Sequence, residues 1–210
     1  MAQRHADSRR KSSRRRSKAN LVVWGAVIAI LLTAVILAAS GVRNGVSDRV
    51  KKAQYPESYG SEVSAAAKTY HLDPALIYAV IRTESNFQAN AESGAGARGL
   101  MQLMPETFAW LMDYRGEENA YTADDLFDPS VNIDYGCYFL RYLLDYFHGD
   151  EICAVAAYNG GLSQVEKWLE DSDFSDDGQS LIVDNIPINE TRDYVKKVES
   201  AKKTYGELYQ

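Results

Sequence analysis

A glutamate at the end of an apolar helix, followed at once by a glycine-rich turn, restricts the fold of this chain more than any other feature. Asp73-Pro74 is typical of a helix start, because Asp is a favoured N-cap and Pro fits the first helical position. Glu84 then continues an i, i+3, i+4, i+7 pattern whose other members are Ile77, Val80 and Ile81. The pattern predicts a carboxyl group on the buried face of a helix.

Burial makes Glu84 a candidate catalytic residue. A lone acid on an apolar face is unfavourable unless it is neutral or paired, so burial raises the pKa of its carboxyl group. A general acid that works near neutral pH requires such a pKa. The alternative is a partly buried glutamate at a helix end with no role in catalysis.

The first forty residues predict a membrane anchor. Residues 1–20 contain eight basic residues and one acidic residue, and residues 21–39 are 19 uncharged, almost wholly apolar residues. As a helix this run is about 28 Å long, close to the hydrocarbon thickness of a bilayer. The positive-inside rule keeps the basic tail in the cytoplasm and places the rest of the chain outside. We therefore predict a cytoplasmic tail at 1–20, a transmembrane signal-anchor at 21–40, a juxtamembrane linker at 41–56 and a folded domain at 57–210.

Two other interpretations of this segment are weaker. A cleaved signal peptide would make the protein secreted, and Ala38 and Ser40 are small enough for a cleavage site, but the apolar run of such peptides is usually shorter. The arginine-rich tail fits nucleic acid as well. Since the adjoining apolar run explains the tail as a topology signal, we expect no nucleic-acid partner. Subtracting the tail from the 23 basic and 29 acidic residues leaves 15 and 28, a net charge of −13 for residues 21–210.

Helical periodicity continues through the folded domain. Apolar faces predict helices that begin near Tyr59, at Pro74, Pro105 and Pro129, and three more over residues 151–158, 162–169 and 192–208. The helix at Pro129 is predicted to be the longest, and no strand alternation stands out. Cys137 and Cys153 are predicted to be buried thiols, since a hairpin that turns at Gly149 would separate them by about 12 Å along the helix axes. The predicted fold class is mostly α.

Short motifs follow one another along this domain. They are Glu-Ser-x-Phe at 84–87, Gly-Leu-Met-Gln-Leu-Met-Pro at 99–105, Asn132-Ile133 with Gly136, Ala-Tyr-Asn-Gly-Gly at 157–161, and Glu190-Thr191-Arg192 with Tyr194-Val195. In this order the motifs resemble the soluble lytic transglycosylase (SLT) family, lysozyme-like enzymes that cleave peptidoglycan between N-acetylmuramic acid and N-acetylglucosamine. The resemblance implies a lysozyme-like (SLT) helical domain and a peptidoglycan lytic transglycosylase whose partner is the glycan strand.

The resemblance also implies a mechanism with one carboxyl group. Most glycosidases use two, whereas in this family a single glutamate protonates the leaving oxygen while the acetamido group of the substrate stabilises the cation at C1. The same glutamate then takes the proton of the C6 hydroxyl, which closes onto C1 and forms a 1,6-anhydro sugar. Glu84 is the catalytic residue that this resemblance implies.

Substrate contacts are implied for seven further residues. Ser93 matches a position that hydrogen-bonds the substrate near the reacting bond, although a loop serine often satisfies its own backbone. Gln102 would present an amide to the acetamido groups, and Met104 an apolar wall. Tyr158 would line the cleft and approach the catalytic carboxyl or the acetamido group of the substrate. The remaining three are Asn159 beside it, Glu190 in the polar network of the cleft, and Tyr194 packed nearby.

No metal or other cofactor is expected. The three histidines have no ligand spacing, and the acidic loop 173–184 matches an EF-hand calcium loop only in part, because its last position is Asp184 rather than Glu. A hydrolase of the goose-lysozyme type stays open, with Glu92 or Asp128 as the second carboxyl group. A third possibility is a non-catalytic protein that uses this fold to bind peptidoglycan.

Overall fold

The computed structural model of the protein describes residues 49–209. The chain divides into two units, Met1–Gln54 and Tyr55–Gln210, and the described part of the first, residues 49–54, is helical. The predicted tail at 1–20, the signal-anchor at 21–40 and most of the linker at 41–56 lie outside the described residues. Within residues 49–209, no helix combines the length and the apolar character needed to cross a membrane.

Seven α-helices and two 3₁₀ helices form the second unit between Tyr55 and Tyr209. The α-helices are α1 (Gly60–Tyr70), α2 (Pro74–Ser85), α3 (Pro105–Arg115), α4 (Pro129–Tyr146), α5 (Glu151–Gly160), α6 (Leu162–Leu169) and α7 (Asn189–Tyr209). The 3₁₀ helices are Ala123–Phe127 and Val183–Asn185. The mostly α fold class is confirmed, and each predicted helix is present.

Local capping chemistry sets the helix starts, as predicted. At the start of α2 the Asp73 carboxylate accepts a hydrogen bond from the backbone N–H of Ala75 at 2.9 Å. At the start of α4, Asp128 accepts one from the N–H of Ser130 at 2.7 Å, and each cap is followed by a proline. The predicted order of lengths was wrong. Helix α4 has 18 residues and α7 has 21, because α7 already begins at Asn189.

Helix α2 lies at the centre of the main hydrophobic core. The side chains of Ile77, Val80 and Ile81 are completely buried. Helix α7 packs along α2, while α4 packs against α1 and α5. One end of the α2–α7 pair is fixed by the rings of Tyr78 and Tyr205, which stack with their centroids 5.2 Å apart. Packing of this central helix therefore determines where Glu84, in its last turn, is placed.

A second, smaller core cluster joins α3, the first 3₁₀ helix and α4. Its buried members are Leu103, Phe108, Leu111, Met112, Leu126 and Tyr135. Phe139 and Tyr158 pack against both clusters. Leu100 and Met101 belong to the main cluster, whereas Leu103 belongs to the smaller one. The glycine-rich turn that follows α2 therefore lies where the two clusters meet.

The cysteines and the acidic loop also fit the predictions from sequence. Cys137 and Cys153 are both buried and both free, as predicted for two buried thiols. The loop after α6 is irregular, and its Asp177 carboxylate accepts the backbone N–H groups of Gln179 and Ser180, both at 2.8 Å. These bonds stabilise the turn from within the loop.

Candidate active site

The Glu84 carboxyl lies half-buried in the last turn of α2 and meets α7. Its Oε1 atom accepts a hydrogen bond from the Tyr194 hydroxyl at 2.7 Å. Burial raises the pKa of Glu84 to about 7, the hydrogen bond from Tyr194 lowers this pKa, and the nearby negative charge of Glu190 raises it. The carboxyl group can thus gain and lose a proton near neutral pH.

Two tyrosine side chains lie near this carboxyl and are influenced by its charge. Burial raises the pKa of both Tyr158 and Tyr194 well above the ordinary value, and the charge of Glu84 raises both further. Both hydroxyls therefore stay protonated at neutral pH. Tyr158 was expected to approach the catalytic carboxyl or the acetamido group of the substrate, and its hydroxyl donates to the carbonyl oxygen of Met101 at 2.9 Å. Tyr194, expected only to pack nearby, is the tyrosine that bonds Glu84.

Ser93 and Gln102 fold the turn between α2 and α3. The Ser93 hydroxyl oxygen accepts the backbone N–H of Ala97 at 3.0 Å. The side-chain amide of Gln102 donates to the carbonyl oxygens of Ala91 at 3.1 Å and Gly99 at 2.9 Å. Since these bonds use the N–H groups of Gln102, the group that it can offer to a ligand is its carbonyl oxygen.

Asn132 fixes the same turn from α4, and sequence reasoning gave it no role beyond a motif position. Its side chain is completely buried. It accepts the N–H of Met101 at 2.7 Å and donates to the carbonyl oxygens of Arg98 at 2.9 Å and Leu126 at 2.8 Å. A buried polar side chain needs such partners. The signal in the sequence was an asparagine at an apolar position of a helix.

Two glycines permit the close approach of the turn to α4. A Cβ atom at Gly99 would lie 2.1 Å from the carbonyl oxygen of Leu126, and its φ of +78° is disfavoured for other residues. A Cβ atom at Gly136 would lie 2.4 Å from the sulfur of Met101. From α2, the Ser85 hydroxyl donates to the carbonyl oxygen of Leu100 at 2.8 Å. These motif positions shape the backbone of the site.

The remaining predicted site residues lie around the ends of α3, α5 and α7. Asn159 accepts a hydrogen bond from the Thr191 hydroxyl at 2.8 Å, which joins the end of α5 to the start of α7. Glu190 is exposed in the first turn of α7. Met104 is the half-buried residue before α3. The fold thus brings Tyr194 and Glu190 to Glu84, while Asn159 bonds a neighbouring helix.

The two candidates for a second carboxyl group have structural partners. Glu92 forms an ion pair with Arg98 at 3.2 Å, and Asp128 caps α4. Within residues 49–209, no three His, Cys, Asp or Glu side chains are grouped to hold a metal ion. Chemically, the arrangement offers one carboxyl group of raised pKa, with a donor hydroxyl on it.

A family profile that matches most of the folded domain shows which family the chain belongs to. The family profile described as the transglycosylase SLT domain matches residues 61–180, more than half of the 210 residues. The chain belongs to the transglycosylase SLT family. The predicted resemblance and the lysozyme-like fold are confirmed by this match and by structures of the same fold.

This SLT domain is similar to parts of larger proteins. It is 33% identical over 151 residues to the soluble lytic murein transglycosylase of Salmonella typhimurium, a match that covers 69% of this chain and 22% of that protein. It is 31% identical over 165 residues to the membrane-bound lytic murein transglycosylase C of Yersinia enterocolitica, with 68% and 45% covered. An inactive variant of the lytic transglycosylase Slt from Pseudomonas aeruginosa superposes with a TM-score of 0.67 at 35% identity, over 74% of this chain and 25% of that one. The chain thus spans less than half the length of these relatives.

Proposed function

We propose that this SLT domain is a peptidoglycan lytic transglycosylase, a lyase of the glycan strand that serves cell-wall remodelling. It cleaves the β-1,4 bond between N-acetylmuramic acid and N-acetylglucosamine and leaves 1,6-anhydro ends. The observation that carries this proposal is the half-buried Glu84 carboxyl, with a pKa of about 7 and a hydrogen bond from Tyr194. The two curated relatives are named as lytic murein transglycosylases, which supports the same reaction.

In the first step, protonated Glu84 donates its proton to the glycosidic oxygen as the C1–O bond breaks. The positive charge at C1 is stabilised by the acetamido group of the substrate, so no second protein carboxylate is needed. Glu84 is then ionised, and the Tyr194 hydroxyl stabilises its charge. Glu84 next takes the proton of the C6 hydroxyl, whose oxygen bonds C1. A pKa of about 7 suits a group that acts first as acid and then as base.

The other predicted site residues are proposed to bind the sugars around this bond. The carbonyl oxygen of Gln102 would accept the N–H of an acetamido group, with Met104 as an apolar wall beside it. Tyr158 would line the cleft next to Met101, and Ser93 would contact the sugar through its hydroxyl group. Asn159 and Glu190 complete the set at the facing ends of α5 and α7. The bonds within the turn support these roles, because they hold the side chains in place before substrate arrives.

The anchor at 21–40 is part of the same proposal. The basic tail and the apolar run support a single-pass protein of the cell membrane, with the SLT domain facing the cell wall. Carbonate extraction of membranes and sequencing of the mature N-terminus test this arrangement. Retention of Met1 in an alkali-resistant membrane fraction supports the anchor, whereas a new N-terminus near residue 41 would mean a secreted form.

Product analysis tests the enzymatic assignment. The purified full chain is incubated with peptidoglycan sacculi, and the masses of the soluble products are measured by mass spectrometry. We expect muropeptides with anhydro ends, one water lighter than reducing ends, and no incorporation of ¹⁸O from labelled water. Reducing ends that contain ¹⁸O would instead indicate a hydrolase.

Matched glutamine variants show which carboxyl group the reaction needs. Glu84→Gln is expected to release no muropeptides, because the amide cannot donate the proton. Glu92→Gln removes an alternative carboxyl group and is expected to keep the activity of the wild type. Equal release by the wild type and Glu84→Gln would refute the proposal and favour a protein that only binds the wall.

A further inference from the structure

A groove of positive charge lies between the two helices that carry the candidate active site of this acidic protein. A cavity of about 410 Å³ between α2 and α7 is lined by Tyr55, Arg82, Thr83, Lys196, Lys197, Ser200 and Ala201, and we call it the basic groove. Residues 49–209 contain 14 basic and 27 acidic residues, yet three basic residues and no acidic residue line this groove. Four other cavities in the described part of the chain each include Asp or Glu in their lining.

The cations of the basic groove are held in different ways. The Arg82 guanidinium lies over the ring of Tyr55, 3.9 Å from its centroid, and aromatic packing of this kind orients the planar group. Lys196 forms an ion pair of 2.6 Å with Asp184, whose side chain is 82% exposed. Lys197 is exposed on α7. Asp184 already pairs with Lys196, but no carboxylate lies in the lining itself, so the charge of the lining favours an anionic ligand beside the exposed Lys197.

The basic groove is formed by the same two helices that carry the Glu84–Tyr194 hydrogen bond. Arg82 and Thr83 directly precede Glu84 on α2, and Lys197 follows Tyr194 by three residues on α7, about 5 Å along the helix axis. The nearest residues of the groove and the Glu84–Tyr194 pair therefore lie within one helical turn of each other along each helix axis. The groups of peptidoglycan that carry negative charge there are the carboxylates of the peptide stems on N-acetylmuramic acid.

We propose that the basic groove binds carboxylates of these peptide stems, so that strands with free stem carboxylates are preferred substrates. The inference rests on the proposed function and names the substrate class of the same site. A stem of four or five residues can extend about 15 Å, which is longer than the one helical turn that separates the nearest groove residues from the Glu84–Tyr194 pair. Lys and Arg form their strongest hydrogen bonds with carboxylates.

Two forms of one substrate test this inference. Peptide-bearing glycan oligomers are compared with the same oligomers after their stem carboxylates have been converted to primary amides, which removes charge and keeps shape. With the full chain we expect kcat/KM for the anhydro product to be about 3- to 10-fold higher on the free acids, the size expected for a few exposed charge pairs. The preference should disappear in 1 M salt, where the Debye length falls to about 3 Å.

Two charge reversals on α7 distinguish an effect of the groove from an effect of the protein's overall charge. Lys197→Glu is expected to abolish the preference for free acids, mainly through KM. Lys203→Glu changes the net charge equally but lies outside the groove lining, and should keep the preference of the wild type. Circular dichroism checks the fold of each variant, and Lys197→Gln replaces Lys197→Glu if the latter does not fold.

Each outcome decides the inference. Anhydro products from both substrates at equal kcat/KM would overturn the groove and leave the proposed function intact. The same result follows if Lys197→Glu and Lys203→Glu lose the preference equally. If the wild type forms anhydro products from neither substrate, the proposed function fails and the groove assignment is overturned with it.

Discussion

Removal of the Tyr194 hydroxyl is the sharpest test of how the protein sets the proton affinity of Glu84. The hydroxyl donates to Glu84 Oε1 at 2.7 Å, and this bond stabilises the ionised carboxylate more than the neutral acid. Tyr194→Phe keeps the ring, which is 6% exposed, and deletes the donor. The remaining influences, burial and the charge of Glu190, both raise the pKa of Glu84. We therefore predict a pKa above the wild-type value of about 7.

The size of this change follows from the strength of a hydrogen bond to a charged group. Such bonds contribute about 1.5–3 kcal/mol, and 1.36 kcal/mol corresponds to one pH unit. The pKa should rise by about 1–2 pH units, with the lower figure expected because Glu84 is only half-buried. Since the first step needs protonated Glu84, kcat/KM falls as the pH rises through this pKa. The alkaline limb of the pH profile should therefore move upward in Tyr194→Phe.

The assay is the release of anhydro-muropeptides between pH 5 and 10, with kcat/KM fitted at each pH. Tyr205→Phe is the matched control, because it removes a buried hydroxyl on the same helix that donates to the carbonyl oxygen of Pro56. Its alkaline limb should stay at the wild-type pH. A limb that stays in place or moves downward in Tyr194→Phe would refute the assignment of Tyr194 as the donor that stabilises ionised Glu84.

Three further predictions concern stability and are measured by urea unfolding. Glu84→Gln should be more stable than the wild type by about 2–3 kcal/mol at pH 8 and equal to it at pH 4, because a folded pKa of about 7 lies above the unfolded value. The stability from the neutral carboxyl is complete below the unfolded pKa and is lost as the pH rises through about 7. Asn132→Ala should lower the free energy of unfolding by about 3 kcal/mol, because three backbone groups, two of them in buried hydrogen bonds, lose their partner. Gly99→Ala should lower it by about 2–4 kcal/mol, because its Cβ would lie 2.1 Å from a backbone oxygen. Gly94→Ala, with no atom within 4 Å, should stay within about 0.5 kcal/mol of the wild type.

Each of these has an outcome that contradicts it. A stability difference for Glu84→Gln that does not depend on pH would mean that burial does not raise the carboxyl pKa. A change below about 1 kcal/mol in Asn132→Ala would show that water replaces its hydrogen bonds. Equal losses in Gly99→Ala and Gly94→Ala would point to helix or loop propensity rather than the close approach at Gly99.

The helices were predictable because their signals are local. Asp73-Pro74 and Asp128-Pro129 each place an N-cap and a first-turn proline next to each other in the chain, and the structure begins α2 and α4 there. The apolar stripe of α2 likewise repeats within a few turns. The start of α7 was missed by three residues, because Asn189 and Glu190 have no apolar pattern of their own. Their helical turn is closed by a bond from the N–H of Arg192 to the carbonyl oxygen of Ile188.

The site was predictable as a set of residues but not as a set of bonds. Motif order grouped Glu84, Tyr158 and Tyr194, but it did not show which tyrosine hydroxyl bonds the carboxyl. The relative rotation of α5 and α7 decides this, and no local pattern encodes it.

From its residues alone, this chain determined where helices begin, which face of α2 is apolar, and that an acid lies on that face. Only the tertiary structure decided that Tyr194, 110 residues further along the chain, bonds this acid, and that Asn132 holds a turn 31 residues before it. The physical reason is the distance along the chain over which each interaction acts. Capping and periodicity act over a few residues, whereas these hydrogen bonds exist only after the packing of α2 against α7, and of the turn against α4, has brought distant groups within 3 Å.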